Sequence, residues 1–133
     1  MTNNERAKFL LQEAKENFKE MKDAFSKGLY NRTIRRAQEV VEQSLKAVIK
    51  LMNFEYPKEH DVAKNFEEIL KKRGISYEDE EIKKIKEISA NLEQRRAPAF
   101  YGEVFYTKDE AISAMEGAEF VLNFVLNLME RLN

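Results

Sequence analysis

The chain contains no cysteine. That excludes a disulfide framework, thiolate metal ligands and a cysteine nucleophile. Histidine occurs once, at His60, and no group of carboxylates has ligand spacing, so no metal site and no cofactor are expected. A glycine-rich phosphate loop, a GxSxG elbow and an HExxH helix are all missing. Neither sign of charge prevails: 23 Lys and Arg face 24 Asp and Glu, a formal net charge of −1. Without a global basic field, any attraction to nucleic acid must rest on a local patch. The opening residues Met1-Thr2-Asn3-Asn4-Glu5-Arg6 lack the basic flank, apolar run and cleavage site of a signal peptide. No stretch approaches the roughly 20 apolar residues of a bilayer span. A cytoplasmic protein with no membrane partner is the expectation.

What is present points to a folded helical unit. Hydrophobic residues make up 43% of the 133, enough for one core, so a single domain over residues 1–133 is expected. Only two prolines and four glycines punctuate the chain, and between them the apolar period is helical. From Glu5 to Lys27, Ala7, Leu11, Ala14, Phe18, Met21 and Phe25 recur at steps of three and four. Gly28 follows where a helix should stop. From Tyr30 to about Asn53 the stripe is Ile34, Ala37, Val41, Leu45, Val48 and Met52, widened by Val40, Ile49 and Leu51. The short connection makes these two helices an antiparallel hairpin.

Pro57 then bars continuation. A short helix is predicted over Asp61–Arg73, with Val62, Phe66, Ile69 and Leu70 inward. The next helix is expected to be capped by Ser76 and to run to about Arg96, carrying Ile82, Ile85, Ile88 and Leu92. Ala97–Thr107, with Pro98, Gly102 and four aromatics, reads as an ordered loop. Thr107, with Glu110 three residues on, caps a last helix running to about Arg131. That helix has one apolar face of Ala111, Met115, Ala118, Leu122, Val125, Met129 and Leu132, and a second of Ile112, Val121, Phe124 and Leu128. A helix apolar on two faces is either central to the bundle or shared with a partner. The predicted fold is all-α: an antiparallel up-and-down bundle of four long helices and one short one.

Three features bear on chemistry. Gln38, Glu42 and Lys46 stand at steps of four, a pattern that reads first as a surface ion pair. His60 is either a general acid or base, or a polar residue that caps the third helix or fills a loop niche. Charge is uneven: Tyr30–Asn53 holds five bases against two acids, whereas the segment from Ala97 onward holds two bases against six acids. The densest candidate is Arg95-Arg96-Ala97-Pro98-Ala99-Phe100-Tyr101-Gly102-Glu103-Val104-Phe105-Tyr106. Guanidiniums grip phosphate in a fork geometry and aromatic rings stack on bases, so this run suits a nucleotide or RNA. Arginine at a helix end and aromatics closing a bundle explain it equally well.

The run Ala37-Gln38, Glu42, Leu45-Lys46-Ala47, then Pro57 and His60-Asp61, then Arg95-Arg96 with Ala99-Phe100-Tyr101-Gly102, resembles the HEPN domain over essentially the whole chain. The resemblance implies a helical bundle that commonly forms homodimers. It also implies a frequent partner, a minimal nucleotidyltransferase, in toxin–antitoxin pairs, and in some members a metal-independent ribonuclease built on Arg followed after four to six residues by His. Here that histidine is missing: the corresponding positions hold Phe100, Tyr101, Gly102 and Glu103. Tyrosine, with a pKa of about 10, is a poor general base, and no catalytic residue is assigned. The expectation is a non-catalytic or weakly catalytic HEPN protein that binds a nucleotide, RNA or a nucleotidyltransferase. In it Arg95 and Arg96 hold phosphate, Tyr101 stacks or hydrogen-bonds, and His60 shapes the pocket edge. Two alternatives are a ribonuclease with Tyr101 in place of the histidine, and a dimeric adaptor joined through the second face of the last helix.

Overall fold

The computed structural model describes residues 1–132. Five helices make it up: α1 (Asn3–Ser26), α2 (Tyr30–Leu51), α3 (Ala63–Lys72), α4 (Asp79–Tyr101) and α5 (Lys108–Leu132). Four have 22 to 25 residues and α3 has 10, and no strand occurs among the described residues.

The centre of the molecule is α2, which packs against all four other helices. From Ser44 to Lys50 every residue is buried, because Leu45, Val48 and Ile49 leave no wholly polar face. Against it α1 lays Ala7, Ala14, Met21 and Ala24, mostly small side chains that let two backbones approach. Thr2 caps α1 by accepting the Glu5 N–H at 3.1 Å. The two-faced α5 is therefore not the central helix. It lies beside α2, burying Ala111, Ala118, Leu122 and Val125 from one face and Val121 and Leu128 from the other. Among the described helices it alone is long and apolar enough to cross a membrane, against the expectation that no such stretch exists. Its buried residues belong to the core.

Phe66 of α3 is wholly buried and meets Phe124 of α5 edge to face at 6.2 Å between ring centres. Burying such a side chain contributes about 1.5–3 kcal/mol. Gly117 is a close-approach position: a Cβ there would come within 3.0 Å of Ile88 on α4.

Several ends differ from the sequence expectation. Helix α4 does not stop at Arg96; it continues through Pro98 to Tyr101, so the ordered loop shrinks to Gly102–Thr107. Proline forfeits only one backbone hydrogen bond there. The stop is made by Gly102 at φ +67°, where the Glu103 N–H returns to the Pro98 carbonyl at 3.0 Å. Ser76 does not cap α4; the capping position is Glu78, without a side-chain bond, and Asp79, Glu80 and Glu81 complement the helix dipole instead. Helix α3 begins at Ala63, whose N–H is bonded by Asp61 at 3.2 Å. Helix α2 ends at Leu51, two residues early. The expected capping box of α5 is present: Thr107 N–H donates to Glu110 Oε1 at 3.0 Å and Glu110 N–H to Thr107 Oγ1 at 3.2 Å.

Candidate functional site

Because α2 lies at the centre, polar residues on its inner faces lose most of their contact with water and must find partners inside. Gln38, Glu42 and Lys46 do so by forming a partly buried relay: the expected Glu42–Lys46 ion pair is present, but it lies largely beneath the surface. Gln38 is 2% exposed. Its amide N–H donates to Glu42 Oε1 at 2.9 Å, and its carbonyl accepts from Arg96 Nη1 of α4 at 2.8 Å. Lys46 Nζ donates to Glu42 Oε2 at 2.8 Å and stands 4.7 Å from the centre of the Tyr56 ring. The chemistry dictates this polarity. Arginine and lysine only donate and a carboxylate only accepts, so Gln38 must turn its oxygen to Arg96 and its nitrogen to Glu42.

His60 joins the same carboxylate, its Nδ1 lying 2.9 Å from Glu42 Oε1. Burial works to raise the Glu42 pKa. Hydrogen bonds from Gln38, Lys46 and His60, with the Lys46 charge, outweigh it and hold the group below its ordinary 4.5. An ionised Glu42 fixes His60 as the Nδ1–H tautomer, leaving Nε2 as the acceptor when the ring is neutral. His60 lines a cleft of about 540 Å³ with Glu59, Asp61, Lys64, Asn65 and Glu93. Asp61 is held by Ser89 Oγ, which donates at 2.6 Å, so the loop before α3 is tied to α4.

At the other end of the relay, Arg96 opens on a second cleft of about 280 Å³, shared with Arg35, Glu39, Ala97, Phe100 and Tyr101. The Arg35 guanidinium lies 4.6 Å from the centre of the Phe100 ring. Its pKa is lowered first by burial and then by Arg36, with Arg32 and Arg96 adding to the repulsion and Glu39 opposing it. Arg36 is neutralised by Glu39 at 3.1 Å and Glu20 at 3.4 Å, whereas Arg35 has no ion-pair partner among the described residues. A bound anion would relieve this crowding of cations.

The structure separates residues that the sequence had grouped. Arg96 turns to Gln38, but Arg95, one step round the helix, turns to α5, reaching Glu110 at 3.9 Å and the Tyr106 ring at 5.4 Å. Tyr101 lines the Arg96 cleft and is 73% exposed. His60 lines the other cleft and meets Arg96 only through Gln38, which donates to the His60 carbonyl at 3.5 Å and to the Glu42 carboxylate that His60 also bonds. Gln38 and Glu42, whose spacing in the sequence reads as part of a surface ion pair, belong to the site, and so does Arg35, which that spacing does not single out. No local signal marks them, since α2 carries polar residues along its whole length and only the packing of neighbouring helices sets which of them are covered. No group of His, Asp and Glu among the described residues is placed to hold a metal ion.

The class is thus an all-helical protein with a partly buried polar relay linking its central helix to the C-terminal half of α4, flanked by two clefts. The family model of the HEPN domain matches residues 7–129, and the chain belongs to the HEPN domain family. No curated protein matches it.

Proposed function

We propose that this HEPN protein binds a nucleotide through its phosphate in the cleft between α2 and the end of α4, and that it works by binding rather than by cleavage of the family's Arg–His type. The observation that carries the reading is Arg96: Gln38 holds its guanidinium beside a cleft that also contains Arg35, which has no ion-pair partner among the described residues. Arg96 and Arg35 would grip the phosphate, Tyr101 and Phe100 would meet the base, and His60 would mark the far edge of the relay. The chain is read as one domain, an antiparallel up-and-down bundle in the cytoplasm, acting as a homodimer beside a minimal nucleotidyltransferase in a toxin–antitoxin pair. Family membership supports the partner, and half-exposed Ile112, Met115 and Phe120 of α5 support the dimer.

Calorimetric titration with nucleoside monophosphates tests this. Arg96→Ala and Arg35→Ala should each weaken binding by about tenfold or more, Arg35→Ala at nearly unchanged Tm and Arg96→Ala with a lowered Tm, because it leaves the buried Gln38 carbonyl without its donor. Arg95→Ala should change little, because Arg95 faces α5. Equal binding by Arg96→Ala and the wild type would sink the assignment.

The His60–Glu42 pair favours a second reading, catalysis with His60 Nε2 as general base. It requires RNA cleavage in the presence of a chelator that is lost in His60→Ala. Intact RNA with wild-type protein removes it.

A further inference from the structure

On the far side of Arg35 lies another cleft, of about 410 Å³, lined among others by Leu29, Tyr30, Arg32, Arg35, Phe105 and Tyr106. Arg35 thus forms a wall common to this cleft and to the Arg96 cleft. Phe105 is 85% exposed, and Leu29 and Val104 beside it are exposed too. Such an aromatic would ordinarily be hidden in a collapsed loop. Here Asn31 prevents collapse: its Nδ2 donates to the Ala99 carbonyl at 3.2 Å and to the Val104 carbonyl at 2.8 Å, and its Oδ1 accepts the Tyr106 N–H at 2.9 Å. The loop is therefore held in a form that keeps Phe105 outward.

Charge selects the occupant. Arg32 and Arg35 have no ion-pair partner among the described residues, Arg96 is bound only by the neutral Gln38, and Glu103 is the single acid of the 102–107 segment. Exposed rings in two adjoining clefts that share Arg35, with Glu39 the one acid lining them, suit the bases and phosphates of successive nucleotides. A mononucleotide fills one cleft and leaves Arg32 and Phe105 idle.

We propose that the Arg32–Phe105 cleft is a second nucleotide subsite, so that the ligand is a single-stranded oligonucleotide passing over Arg35, with one base against Phe100 and Tyr101 and the next against Phe105. This rests on the proposed reading of the Arg96 cleft, and the test separates the two. A short fluorescein-labelled oligouridylate and the matching oligothymidylate are titrated by fluorescence anisotropy, beside calorimetry with a nucleoside monophosphate. At least one oligomer should bind about tenfold or more tightly than the monophosphate, and whichever of RNA or DNA binds better identifies the source. Phe105→Ala and Arg32→Ala, both at exposed side chains, should each weaken the oligomer about five- to tenfold and leave the monophosphate unchanged. Arg96→Ala should weaken both. If Phe105→Ala binds the oligomer like wild type while Arg96→Ala does not, the second subsite is wrong, the first stands, and the exposed surface is left to a protein partner. If wild type binds neither probe, the Arg96 reading falls and this proposal with it.

Discussion

Glu42 holds His60 by one nitrogen: Nδ1 lies 2.9 Å from a carboxylate oxygen that Gln38 also bonds. One carboxylate oxygen thus ties the loop before α3 to the central helix and, through the Gln38 amide, to Arg96 at the end of α4. Residues far apart in sequence share one charge.

Replacing Glu42 by Gln should therefore cost about 2 kcal/mol at neutral pH, less than for a fully buried pair because the carboxylate keeps some solvent. The loss leaves Lys46, with 11% of its side chain exposed, without its counter-charge. The folded pKa of Glu42 is depressed, so its contribution is fully present above the unfolded value near 4.5 and is lost as pH falls through the lower folded value. Urea denaturation of wild type and Glu42→Gln should show a gap that is constant above that value and closes in more acid solution. A gap independent of pH would show that the carboxylate charge is not what stabilises the fold.

Gln38→Glu sets a carboxylate against Glu42 in place of the amide N–H. Two close carboxylates raise one another's pKa, so the variant should be destabilised by about 2 kcal/mol at neutral pH and recover as the pH is lowered toward 5. Gln38→Leu removes the acceptor that aims Arg96 and should weaken monophosphate binding about tenfold. Thermal melts at two pH values and calorimetry check both. Unchanged binding by Gln38→Leu would mean that Arg96 needs no such support.

Asn31→Ala deletes all three bonds that pin the segment after α4, a loss of about 2 kcal/mol. Hydrogen exchange should accelerate at Val104–Tyr106 and stay slow in the α2 core. Protection unchanged at Tyr106 would show that the loop is held by something else.

Gly117→Leu forces a branched side chain into the place where even a Cβ comes within 3.0 Å of Ile88. Overpacking of this kind should cost about 1–3 kcal/mol, and adding Ile88→Ala should restore part of it. Additive losses in the double variant, followed by chemical denaturation, would place the strain elsewhere.

The helices were legible because their cues are local. Stripes such as Ile34, Ala37, Val41 and Leu45 repeat within one turn or two, and the Thr107–Glu110 box closes over three residues. Where a local cue misled, a longer-range contact had won. Pro98 reads as a helix end, yet the bond from Asn31 to Ala99 and the Gly102 turn carry α4 four residues past the expected Ala97 break. Arg95 and Arg96 read as a pair because they are adjacent, but helical neighbours diverge by about 100° and these two face different helices.

By itself the sequence determined an all-helical chain, the approximate span of its five helices, its HEPN likeness and the absence of the family's Arg–His spacing, since periodicity, capping and motif order are properties of neighbouring residues. Only the tertiary structure decided that α2 and not α5 is the centre, that Gln38 is buried and Glu42 partly so, and that Arg96 and not Arg95 shares a cleft with Arg35. Those facts depend on which helix faces pack together, and a desolvated carboxylate accepts donors from wherever the fold brings them.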